Sequence, residues 1–132
     1  MAGLAALAPA AHADDLFVTI KTPTGNIGCA YSRFTGGPAV LRCDIRSGLV
    51  PQPPRPKSCE LDWAYGYEMG TTGSAHTFCA GDTVFDPRAR VVAYGRSWAR
   101  GGFTCVSRRT GLTCHNRSGN GFVLSRAHSR TL

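Results

Sequence analysis

Two cysteines nine positions apart frame the stretch CVSRRTGLTCHN, residues 105–116, with Arg108 and Arg109 between them and His115 and Asn116 just beyond. Thiols beside a histidine can hold a metal, pass electrons or attack a carbonyl, so the spacing decides which chemistry is open. The six cysteines, at positions 29, 43, 59, 79, 105 and 114, contain no C-x-x-C, which weighs against a zinc site or a thioredoxin-like redox pair. No H-x-x-x-H, H-E-x-x-H or calcium-loop spacing occurs, and no metal is implied. No cofactor is implied either: GNIG (25–28) and GNG (119–121) belong to no phosphate-binding strand–loop–helix unit and read as turns.

A hydrolase needs a convergent acid–base set. Ser107 or Ser125 would serve as nucleophile only with a histidine alongside, and no G-x-S-x-G elbow is present. His76, His115 and His128 stand alone along the chain, as structural or surface histidines do. Asp82 in CAGDTV is the strongest acidic candidate, but Gly81-Asp82 reads first as a turn whose carboxylate accepts backbone N–H bonds. A small secreted hydrolase pairing Asp82 with His115 is the alternative to a binding module. Asp44, flanked by Arg42 and Arg46, reads as a partner in surface ion pairs of little worth.

The arginines offer a different chemistry. Residues 1–86 carry eight acids and six Lys/Arg, a net of −2; residues 87–132 carry nine arginines and no acid, a net of +9. Such an end attracts polyanions. Arg96, Arg100, Arg108, Arg109, Arg117, Arg126 and Arg130, interleaved with Trp98 and Phe103, could form one face for phosphates, sugars or stacked bases. Arg108, Arg109, Arg100, Arg117 and Trp98 are the binding candidates. A solvated basic face is the plainer reading. The sequon Asn116-Arg117-Ser118 matters only in a eukaryotic secretory route.

The elements that must position these groups are short. The 132 residues include 16 glycines and 8 prolines, and only 17% are charged. Gly or Pro interrupts nearly every window long enough for an amphipathic helix. Alternating runs recur at 16–21, 26–32, 39–45, 60–69, 75–85, 90–95, 102–106, 111–115 and 121–125. They predict an all-β barrel or sandwich of about nine or ten short strands. Within 61–65, Leu61, Trp63 and Tyr65 would share a core-facing side. SGLVPQPPRPKS (47–58) reads as an extended connection, and RAHSRTL at the end as a frayed segment or short helix.

Cross-strand partners in a hairpin have a constant index sum. If Cys105 faces Cys114, the turn is centred in Arg108-Arg109-Thr110-Gly111, read as a four-residue loop with Gly111 left-handed. If Cys29 faces Cys43, the midpoint is Gly36, inside FTGGPA. Cys59 and Cys79 are left to each other. IGCAYS…AVLRCDI and FTCVSRRTGLTCHN thus echo each other as two stapled hairpins. Paired cysteines fit an oxidising compartment.

MAGLAALAPAAHA, residues 1–13, is apolar and uncharged and ends in an A-x-A cleavage pattern. It reads as the remnant of a signal peptide lacking its basic n-region, ahead of a single β domain over 14–132. No stretch is long enough to span a bilayer.

TPTGNIGC, LRCDI, C-x-x-D-W, FCAGDT, C-x-S-x-x-x-G-L-T-C-x-N and G-x-G-F-x-L-S-R follow one another in this order over residues 17–126. The ordered set resembles a family of small exported bacterial proteins classed as a domain of unknown function. Its members often carry GHGF where this chain has Gly119-Asn120-Gly121-Phe122, and Gly where this chain has Ala64. The resemblance implies export, disulfides and a β-rich fold, and supplies no activity. The expectation is a secreted or periplasmic monomer that binds an anionic envelope polymer or a secreted protein, with nucleic acid a less favoured ligand.

Overall fold

A computed structural model describes residues 15–132; the signal-peptide reading of residues 1–13 lies outside them. The described chain is all-β, with twelve strands: β1 (Leu16–Lys21), β2 (Ile27–Arg33), β3 (Ala39–Ile45), β4 (Asp62–Trp63), β5 (Gly66–Gly70), β6 (Cys79–Ala80), β7 (Arg90–Val91), β8 (Ser97–Arg100), β9 (Phe103–Arg108), β10 (Gly111–His115), β11 (Gly121–Leu124) and β12 (Arg130–Thr131). Two five-stranded sheets, ordered β5-β3-β2-β1-β7 and β12-β11-β10-β9-β8, face each other as a sandwich, and no closed barrel forms. A small β4-β6 pair stands apart from both.

Each sheet is built round a disulfide-stapled hairpin. Cys29 faces Cys43 and Cys105 faces Cys114, with Cα atoms 4.0 and 4.1 Å apart. These are the close, directly opposed positions of an antiparallel pair. The sequence echo extends to a third strand. Tyr67 on β5 lies opposite Cys43, and Phe122 on β11 lies opposite Cys114. Each aromatic follows a glycine whose Cβ would sit 1.9 Å from a cysteine carbonyl: Gly66 against Cys43, Gly121 against Cys114. The two rings then meet across the sandwich, centroids 5.5 Å apart. Tyr31 completes the seam, edge-on to Trp98 and Phe103. Ile20, Leu41, Met69, Leu112 and Leu124 fill the rest of a shared, almost solvent-free core.

Several local expectations are corrected. The run 60–69 is two strands, because Ala64 adopts φ +56° and turns the chain between them. Leu61 is consequently exposed, Trp63 is only half-buried, and Tyr65 points to an ionic cluster outside the core. The run 75–85 contributes only Cys79–Ala80 and a bridge from His76 to Glu68. SWAR (97–100), between two turn signals, is the edge strand β8, and the end of the chain forms β12 on β11 instead of a helix.

The third disulfide joins Cys59 to Cys79, flanking the β4-β6 pair. Three disulfides suggest an oxidising environment. Among the described residues no helix is long and apolar enough to cross a membrane.

Candidate functional site

Two gatherings of charged side chains bear on the predicted site residues. The first lies on the outer face of β3. Leu41, Cys43 and Ile45 point into the core, so Arg42, Asp44 and Arg46 point the other way. Residues 78–85 cover them. Arg42 grips the fully buried Asp44 carboxylate with Nε (2.9 Å) and Nη2 (3.1 Å), and reaches Asp82 Oδ1 (2.9 Å), the Asp82 carbonyl (2.9 Å) and the Tyr65 hydroxyl (2.9 Å). Its guanidinium lies 4.2 Å from the Phe78 ring centroid. Tyr65 in turn donates to the Asp82 carbonyl, and the Val84 N–H donates to Asp44 (3.0 Å).

The electrostatics follow from this geometry. Burial pushes the Asp44 carboxyl above its ordinary value, against the pull of Arg42 and the Val84 N–H. The Arg42 guanidinium holds the exposed Asp82 carboxyl below its ordinary value. Asp44 is therefore no surface partner: it is the anchor by which β3 holds a covering loop. Asp82 is a neutralised member of the same anchor. His115 lies exposed on β10 in the other sheet, and the structure does not bring it to Asp82. The two candidate nucleophiles are likewise placed without a histidine partner. Ser107 is buried in the core, and Ser125 Oγ accepts the N–H groups of Ala127 and His128. Asn116 is buried, its amide donating to the Gly70 and Gly73 carbonyls, so the sequon is closed to modification.

The second gathering is at the tip of the β9–β10 hairpin. Arg108 pairs directly with Gly111, leaving a two-residue turn of Arg109 and Thr110, tighter than the four-residue loop expected. Gly111 has φ +141°, in the positive-φ region that favours glycine, and its Cβ would lie 2.3 Å from the Leu124 carbonyl oxygen. Glycine is required there so that the hairpin can close onto the end of β11. The tip, the β1–β2 turn and the turn after β11 enclose a cleft of about 350 Å³. Arg108, Arg109, Arg126, His128 and Tyr94 line it together with Thr22, Thr24 and Asn26, and among the described residues no Asp or Glu does.

Its walls are fixed locally. The Asn26 amide donates to the Ser47 hydroxyl and accepts the Ser47 backbone N–H. The Ser129 N–H is held by the Val50 carbonyl (2.7 Å). Arg109 lies over the Tyr94 ring, 4.9 Å from its centroid, which leaves the in-plane N–H donors free to face the cleft.

The other binding candidates fall elsewhere. Trp98 is buried against Tyr31, and Phe103 is almost fully enclosed, so neither supplies an exposed stacking face. Arg100 pairs with Phe103 at the opposite end of β9 from the tip, roughly 17 Å away at about 3.4 Å per residue. Arg117 is at that far end too, its side chain lying against Gly102. Arg126 belonged to the basic face read from the sequence, but His128 and Tyr94 escaped the binding reading, because only the turn after β11 and the turn before β8 bring them to the tip. Among the described residues no group of three His, Cys, Asp or Glu could hold a metal.

No curated protein and no solved structure matches the chain. The model of a family of unknown function, DUF6636, matches residues 1–132, and the chain with its two stapled sheets belongs to that family.

Proposed function

We infer that this protein is an exported, disulfide-stapled β module that binds an anionic polymer of the cell envelope through the cleft at the β9–β10 tip, with no chemistry of its own. One observation carries the reading: three arginines and a histidine line one cleft of about 350 Å³ that, among the described residues, no carboxylate lines. Guanidinium forks bind phosphate or carboxylate oxygens in charge-assisted pairs. The stapled hairpin and its two flanking turns hold them in place beforehand, which lowers the ordering cost of binding. The three disulfides support an extracellular or periplasmic site of action.

The test is calorimetric titration with tripolyphosphate at low salt. Each charge-assisted bond is worth about 1.5–3 kcal/mol, so Arg108→Ala and Arg109→Ala should each weaken binding roughly tenfold or more. Arg100→Ala and Arg117→Ala should leave it unchanged. Equal losses from all four variants would show a diffuse basic surface in place of a site.

A further inference from the structure

A second basic cleft adjoins the first. It also encloses about 350 Å³ and lies on the other side of the β1–β2 turn, with Thr24 lining both. Lys21 and Arg46 are its cations, and Phe85, Asp86 and Gly25 complete the wall. Arg46 lies 3.8 Å from the Phe85 ring centroid and donates through Nε to the Gly25 carbonyl (3.1 Å). Its Nη groups make no hydrogen bond among the described residues. Lys21 Nζ donates to the Pro87 carbonyl (3.0 Å), one of the three protons an ammonium offers. Asp86, the one carboxylate lining it among the described residues, is engaged by the Thr19 hydroxyl and the Arg88 N–H. Gly28 is required for this cleft, because a Cβ there would sit 2.8 Å from the Phe85 ring.

We propose that the two clefts are consecutive subsites for one linear polyphosphate-type chain, which crosses the β1–β2 turn at Thr24 from Arg108, Arg109 and Arg126 to Lys21 and Arg46. This rests on the anion-binding reading above and deepens it. A monomeric anion fills one cleft; only a ligand with charge repeated along its length uses both. Phosphate suits the first cleft better than carboxylate. Successive tetrahedral units of a phosphate chain turn their pairs of non-bridging oxygens in different directions toward three guanidinium groups, whereas a single carboxylate's two in-plane oxygens fit one fork. Nucleic acid is disfavoured because the rings of both clefts, Tyr94 and Phe85, already carry an arginine on a face. That leaves less aromatic surface for the base stacking on which single-strand binding relies.

The probes are tripolyphosphate, a long-chain inorganic polyphosphate, poly(glycerol phosphate) and oligo(dT), titrated into the oxidised protein. The long polyphosphate should bind at least tenfold more tightly than tripolyphosphate per chain. Lys21→Gln and Arg46→Gln should each remove severalfold of the long-chain affinity while leaving tripolyphosphate binding intact. Lys21→Gln breaks no ring contact and so serves if Arg46→Gln unfolds; thermal melts monitor both. Poly(glycerol phosphate) matching polyphosphate would identify an envelope phosphodiester as the source, and weaker binding a free polyphosphate; either supports a phosphate chain. Long-chain affinity unaffected by both second-cleft variants, with Arg108→Ala still damaging, would overturn the second subsite and leave the first reading standing. Oligo(dT) binding more tightly than both phosphate polymers would overturn the ligand class. No binding of any probe would overturn both readings together.

Discussion

At the scale of single residues, Arg42 and Asp44 hold a loop on the sandwich. A buried carboxylate stripped of its partner costs far more than the pair contributes. Arg42→Ala should therefore destabilise the fold by about 3–5 kcal/mol, measured by urea denaturation, and a loss below about 1 kcal/mol would contradict the buried-anchor account. The two carboxyls of the cluster should titrate in a fixed order. Asp82, depressed by Arg42, contributes stability present above its unfolded value and lost as pH falls through its folded one. Asp44, raised by burial, acts with the opposite sign: its contribution is lost as pH rises through its folded value. Carboxyl-detected NMR should show Asp44 titrating at higher pH than Asp82; the reverse order would be inconsistent with the geometry. None of this was legible in RCDIR, because the groups that bury Asp44 lie some forty residues away at Asp82 and Val84. Ala64 was a nearer miss. Ala64 sits at φ +56° with no solvent exposure. Ala64→Gly should stay within about 1 kcal/mol of the parent, the gain in backbone freedom offsetting the lost methyl. Ala64→Val, β-branched and overpacked, should cost about 2–3 kcal/mol in thermal or chemical unfolding.

At the scale of elements, the hairpins were legible because an index sum needs only two cysteines and a turn. Cys29–Cys43 and Cys105–Cys114 follow from midpoints that fall on Gly36 and on Arg109-Thr110. The length of the second turn was not legible, since the close approach of Leu124 to Gly111 comes from the neighbouring strand. The runs 60–69 and 121–125 were legible as strands, but their place beside the stapled hairpins was hidden for the same reason. Gly66 and Gly121 look like ordinary turn glycines until each is found against a cysteine carbonyl. Gly66→Ala and Gly121→Ala should each cost more than about 2 kcal/mol, because the added carbon would meet backbone where there is no side chain to yield. Gly48→Ala, at an open left-handed position, should cost only about 1 kcal/mol. Equal costs at all three sites, read from denaturation midpoints, would undermine the close-packed unit.

At the scale of the whole molecule, three disulfides staple two sheets that share one core. Each closure is worth roughly 2–4 kcal/mol, and three together rival a domain's net stability of about 5–15 kcal/mol. Melting with reductant should therefore show a transition lowered by tens of degrees or lost, and an unchanged transition would deny the disulfides their part. The all-β class was readable from turn spacing and alternation, but the cleft was not. It is assembled from residues 22–27, 94, 108–111 and 125–128, which only the sandwich brings together. The central claim is that Arg108 and Arg109 hold an anion in that cleft. It is tested most directly by the salt dependence of tripolyphosphate affinity in the parent and in the Arg108→Ala/Arg109→Ala double variant. Log affinity should fall with log salt for the parent and fall less steeply for the double variant, because two cation–anion contacts subject to screening are lost. Identical slopes and affinities in the two proteins would contradict the account.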